Sequence, residues 1–238
     1  MLYALGHPAS FGVLLVSFVV GIVLHGWAQG VTAVAMGDSS ARLNKRNKPE
    51  PQVHIDPFGA VGALIGGLGW VHPIDLPGRR DRRRDRRRAL AVALVGPAVN
   101  VALGVGLLLL WRGALSGGVS AGEAAIWGHA GGAGADLQHG VSFAGDALGF
   151  AVLLAGASQL YLGVLSLIPL PPLDGGRLLF ALAPSTLGWQ RARHYLIGQN
   201  IGLVAVLVML VLPLGGRLLL LAVLDQVLAP LLRVLLGV

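Results

Sequence analysis

The chain has 238 residues, of which 55% are hydrophobic and 12% charged; a soluble domain carries about 25% charged residues. With several apolar runs of about 20 residues, that composition excludes an ordinary soluble enzyme and predicts an all-α polytopic membrane protein. There is no cysteine, which excludes disulfides, thiolate ligands and a thiol nucleophile and leaves the redox compartment unread. The net charge of +7 is informative mainly through where the basic residues fall.

The N-terminus, MLYALGHPASFG, lacks the basic stretch of a secretory leader, and the apolar run over 10–36 is long enough to span. It is read as a retained helix. It contains HGWAQ at 25–29, a histidine and a glutamine four residues apart and therefore on one helix face. The stretch ARLNKRNKPEPQVHIDPF at 41–58 reads as a polar loop with one short strand around Pro51–Ile55. The Gly-rich apolar segment 57–72 is too short and too broken for a span and is read as a re-entrant hairpin.

The run RRDRRRDRRR at 79–88 reads as a cytosolic anchor against anionic lipid, in preference to a nucleic-acid site. A second span over 89–112 carries Gly96, Pro97 and Asn100 in GPAVN, where a small residue suits close helix packing. The Gly/Ala-rich segment 113–146 reads as a flexible extracytoplasmic loop, and its His129 and His139, ten apart, are a poor metal pair. Further spans are expected over 147–168, 195–214 and 216–236.

If the hairpin returns to its own side, Arg42, Lys45, Arg46, Lys48, the 79–88 run, Arg191, Arg193 and Arg233 share one face. The opposite face then receives Arg112 and Arg217. This bias predicts the arginine-rich loop in the cytoplasm and the N-terminus outside; the expected location is a bacterial cell membrane.

Ionisable groups at membrane depth are costly and usually face a protein interior or a cavity. His25 is one such group. Asp174 is another, in SLIPLPPLDGGRLL at 166–179, where prolines break the helix and free backbone groups that only protein or a cavity can line. Taken singly, His25 could make an ordinary helix–helix hydrogen bond and Asp174 could form a turn before Gly-Gly. Together they form a possible two-ligand metal constellation, with Gln29 as a weak third.

In order, LHGWAQG (24–30), HIDPFGAV (54–61), LGWVHPI (68–74), GPAVN (96–100) and SLIPLPPLDGGRLL resemble the site-2 proteases, intramembrane zinc metalloproteases, over about residues 15–185. The resemblance implies a core of three helices with a membrane-dipping hairpin, followed here by two C-terminal transmembrane helices. It divides the chain into a core over 1–185, including the loop 113–146, and a helical pair over 186–238. In that family two HExxH histidines and the LDG aspartate hold zinc, and the glutamate activates water. By resemblance His25 and Asp174 fill two ligand positions, Gln29 stands at the second histidine, and Gly26 stands at the general base, so no catalytic residue is assigned. Asp56, Asn100 and Ser166 are carried over to the substrate groove, Ser166 where the family has asparagine.

An amide oxygen is a poor zinc ligand beside an imidazole, and loss of a general base typically costs about 10²–10⁴-fold. The expectation is therefore a non-proteolytic homologue that binds membrane-embedded segments of a transmembrane client, with zinc weak or absent. The alternatives are an active metalloprotease with a variant metal site and a transporter or channel. The expected partners are lipid and a transmembrane protein, not nucleic acid.

Overall fold

A computed structural model describes residues 8–74, 82–115, 147–214 and 217–237. Helix α1, Pro8–Ala35, opens on a proline, whose missing N–H costs nothing in the first turn. It closes at Gly37, whose φ of 86° suits the left-handed residue that ends a helix. Asp38 then accepts from Ser40 N–H and starts α2, Ser39–Leu43. Short helix α3, Pro51–His54, follows.

Helix α4, Pro57–Gly66, starts at Asp56, which accepts the Gly59 N–H at 2.9 Å, and ends at Gly67 with φ 80°. The chain then returns extended. Val71 makes an antiparallel bridge to Ile55, and His72 N–H donates to His54 O at 2.8 Å. The two ends of 57–72 are thus tied together, giving the hairpin geometry expected for this stretch. The expected strand at Pro51–Ile55 is corrected: Pro51 sets the φ of a helical first turn, and Ile55 alone joins a β-bridge.

Helix α5 runs Arg82–Leu110 and continues as a π-turn, Trp111–Leu115. Helix α6 is Ala147–Ser166, and a proline-broken segment leads to α7, Asp174–Leu182. Helix α8, Leu187–Arg193, continues as a π-turn, His194–Gly198. Helix α9, Ile201–Val211, and a two-residue hairpin, β1 (Pro213–Leu214) with β2 (Arg217–Leu218), precede α10, Leu219–Leu236.

Helices α1, α5, α6 and α10 are long and apolar enough to cross a membrane, so the protein is an all-α polytopic membrane protein. The expected span over 195–214 is bent. Asn200 adopts φ 56°, and the 187–198 and 201–211 pieces meet at 62°. The polar Gln199–Asn200 pair interrupts the apolar run, and asparagine tolerates the left-handed conformation better than most residues.

In lipid, burying apolar surface between helices gains little over leaving it against acyl chains, so close backbone approach and interhelical hydrogen bonds carry the packing. Helices α5 and α6 meet across glycines: a Cβ at Gly156 would lie 2.9 Å from Leu108, and one at Gly163 would lie 2.8 Å from Val101. Helix α1 is tied to α6 by polar bonds, with Gln159 Nε2–H donating to Ser17 O and Ser17 Oγ, and Ser17 facing Ser158 at 2.6 Å. Helix α10 inserts Leu220, Leu224, Leu228, Leu232 and Leu236, an i, i+4 row, into the same core. Beside that row the Tyr161 hydroxyl donates to the buried Asp225 carboxylate.

Candidate functional site: a closed polar cluster on the HGWAQ helix

His25, Gln29 and Asp174 meet in the protein interior. His25 and Gln29 are fully buried one turn apart on α1, and Asp174 is the first residue of α7, 7% exposed. The broken segment before α7 lies tightly over its first turn. A Cβ at Gly175 would be 2.1 Å from Leu167 O, and one at Gly176 would be 2.4 Å from Pro171 N, so only glycines fit there. This packing brings Asp174 to α1, and its place in the first turn of α7 suits a carboxylate facing the helix dipole. Gly96 of α5 completes the enclosure: a Cβ there would stand 2.2 Å from His25 Nε2.

The carboxylate of Asp174 collects donors. Its Oδ2 lies 2.8 Å from His25 Nε2, and its Oδ1 accepts from Gln29 Nε2–H at 2.8 Å. Arg177 adds an ion pair at 3.5 Å, one helical turn along α7. Gln29 Nε2 is also 3.2 Å from His25 Nε2. The amide orientation of Gln29 follows from this network, because its oxygen turned inward would oppose a carboxylate oxygen. That leaves Gln29 Oε1 and His25 Nδ1 buried without a hydrogen-bond partner among the described residues.

The residues do not fit a catalytic zinc. Two ligands of one tetrahedral zinc stand about 3.3 Å apart with bonds of about 2 Å. Here His25 Nε2 and Asp174 Oδ2 stand 2.8 Å apart, closer than that spacing. The one atom of Gln29 able to ligate points away. Among the described residues no group of three or more His, Asp or Glu side chains is arranged to hold a metal ion.

At Gly26, the position the resemblance gives to a general base, a second imidazole fills the space. A Cβ on Gly26 would lie 2.4 Å from His54 Nδ1. His54 is fully buried; its Nε2–H donates to Lys48 O at 2.8 Å, which leaves Nδ1 bare against α1. Burial holds the His54 pKa below its ordinary value, and the nearby Arg46 and His25 add to that, while the Lys48 carbonyl and Glu50 oppose it. Sequence reasoning took this histidine only as part of HIDPFG; its apposition to Gly26 leaves no periodic signal.

None of the other expected site residues hydrogen-bonds to this cluster. Asp56 caps α4 and faces His72 Nδ1 at 3.3 Å. Ser166 donates back to Leu162 O at 2.8 Å within α6. Asn100, one turn after Gly96, is fully buried with neither amide atom hydrogen-bonded among the described residues. His129 and His139 lie outside the described residues. Arg46, expected only as a topology charge, is buried and donates to His72 O and Pro73 O at 3.0 and 3.1 Å, clamping the hairpin's exit. Arg88, expected as part of a lipid-facing basic anchor, is also buried and pairs with Asp85 at 3.5 Å. Asp225 was missed, although a lone carboxylate in an apolar span is a legible signal.

Beside Asp174 opens a cavity of about 390 Å³, bounded by the hairpin exit at Pro73 and Ile74, α5 at Ala89, Val92 and Ala93, the proline-broken segment, and α7 to α9. Leu173 and Arg177, on either side of Asp174, belong to its wall. The arrangement thus sets a closed polar cluster beside an open cavity.

The chain is similar to a protein of Bacillus subtilis (strain 168) named "Putative zinc metalloprotease YwhC", at 28% identity over 204 residues, 85% of this chain and 82% of that protein. No family model and no solved structure matches the chain.

Proposed function

We propose that the protein is a non-proteolytic member of a membrane zinc-metalloprotease lineage, of site-2-protease type, which binds membrane-embedded segments of a client protein. One observation carries this reading: the Gln29 amide closes onto Asp174 at 2.8 Å where a third metal ligand would be needed. Gly26 offers no carboxylate, and His54 fills the space beside it. The hairpin is tied, Gly96 packs over His25 and the Gly175–Gly176 turn is closed, and by the resemblance these elements would shape a groove. A packed interior without a base or a full ligand set suits binding better than turnover.

The name of the Bacillus relative favours a second reading, an active metalloprotease with a variant site. The two separate by zinc content and cleavage. Purified full-length protein in liposomes should carry no stoichiometric zinc and leave a co-reconstituted transmembrane reporter intact. The variant Gly26→Glu/Gln29→His should gain zinc, and more so with His54→Ala, because His54 stands where the new glutamate must pass. Wild-type cleavage that Asp174→Ala abolishes would establish the second reading instead.

A further inference from the structure

The cavity beside Asp174 has a chemistry of its own. Much of its wall is apolar, as at Val92, Phe180 and Leu203, and it carries two guanidinium groups, Arg177 and Arg193. Among the described residues no aspartate or glutamate lines it. Asp174 meets the charge of Arg177 at 3.5 Å, whereas the cavity wall offers Arg193 no carboxylate. At about 390 Å³ it falls in the lower part of the range of small-molecule pockets, about 300–1,000 Å³.

Its position is equally specific. Ala89, Val92 and Ala93 are the turns of α5 that directly follow Arg86–Arg88, and Arg193 ends α8 just before the apolar helix α9. The cavity therefore lies where basic sequence gives way to apolar span, the level of lipid headgroups. Ile197, 42% exposed, is part of the same wall, so apolar surface continues from the cavity to the outside of the bundle.

We propose that this cavity binds the headgroup of an anionic phospholipid. The phosphodiester pairs with Arg193 and reaches towards Arg177, and the first methylenes of the acyl chains lie against the apolar wall. A guanidinium presents paired donors that match phosphate oxygens, and a lipid brings anion and hydrocarbon in one molecule, as the wall requires. An acidic client segment would satisfy the charge alone. The site is independent of whether the protein cleaves anything.

The test is native mass spectrometry of the full chain released from micelles containing equimolar phosphatidylglycerol and phosphatidylcholine. The wild type should retain phosphatidylglycerol preferentially, one molecule per chain. Arg193→Gln should reduce that preference about five-fold, while Arg191→Gln, exposed two residues away and outside the cavity wall, should leave it unchanged. Ala93→Trp, which fills the cavity with both arginines intact, should act like Arg193→Gln; because Arg193 is exposed, its variant remains informative if the tryptophan variant misfolds. Equal retention of the two lipids by the wild type overturns the proposal, as does an equal loss in the Arg191 and Arg193 variants. Binding of an apolar peptide with a single glutamate, lost in Arg193→Gln and without lipid preference, overturns it in favour of an acidic segment.

Discussion

At the scale of single residues, Gln29 substitutes a hydrogen-bonded cross-link for a coordinated one. Its amide joins α1 to the first turn of α7 through Asp174 Oδ1, inside a site with almost no exposure. Gln29→Leu keeps the approximate volume and leaves that oxygen without its amide donor, at a cost of about 1–3 kcal/mol. Thermal melts in detergent should drop accordingly, and neither zinc nor a chelator should shift the wild-type midpoint. His54 sets a second expectation. Its folded pKa lies below 6.5 because burial disfavours the imidazolium, so below that value the unfolded chain binds the extra proton first. The contribution is fully present above the unfolded value and is lost as pH falls through the folded one. Unfolding measured from pH 7.5 down to 5 should show an acid-side loss of stability that His54→Gln flattens. The spacing of HGWAQ and the proline-broken LDGG made His25, Gln29 and Asp174 legible beforehand, since helical periodicity and the cost of ionisable groups in hydrocarbon are properties of sequence. His54 against Gly26 was not legible, because a contact between a loop turn and a helix depends on how the 44–54 segment folds back across α1.

At the scale of elements, the hairpin shows which signals travel from sequence to structure. Asp56 followed by Pro57 is a helix-start signal, Gly67 is a stop, and both act as their local chemistry dictates. What holds the hairpin to the body was less visible. Arg46 lies in a run of basic residues with nothing to distinguish it, yet its guanidinium is spent on two carbonyls at the hairpin's exit. Arg46→Met keeps much of the apolar stem and removes both bonds. Amide exchange at His72, whose N–H donates to His54 O, should then accelerate several-fold, while exchange in α6 stays unchanged. Equal acceleration in both places would mean that Arg46 supports the global fold and not the hairpin. The bend at Asn200 had a readable cause in the polar Gln199–Asn200 pair. The hydropathy of 195–214 hid it, because averaging over a span conceals two polar residues.

At the scale of the whole molecule, the long helices build a compact interior from glycine contacts and polar bonds, and the basic residues gather towards particular helix ends. Arg86 and Arg87 are exposed at the start of the α5 span, and Arg191 and Arg193 are exposed at the end of α8, just before the bend. Arg112 lies at the other end of α5 and donates to Val234 O near the end of α10, which puts Arg233 at that end and corrects its expected place on the face of the 79–88 run. Arginine on a short loop resists translocation, so the α5 start and the α8 end should share the cytoplasmic side, with the α5 end outside. The absence of native cysteine makes this directly measurable, since a single introduced thiol reports only its own position. Leu187→Cys, exposed at the start of α8, should resist a membrane-impermeant maleimide added to intact cells and react once the cells are opened. Gly113→Cys, exposed in the π-turn that ends α5, should react in intact cells. Labelling of Leu187→Cys but not Gly113→Cys in intact cells would invert the topology, and labelling of both from one side would mean that α6 does not cross.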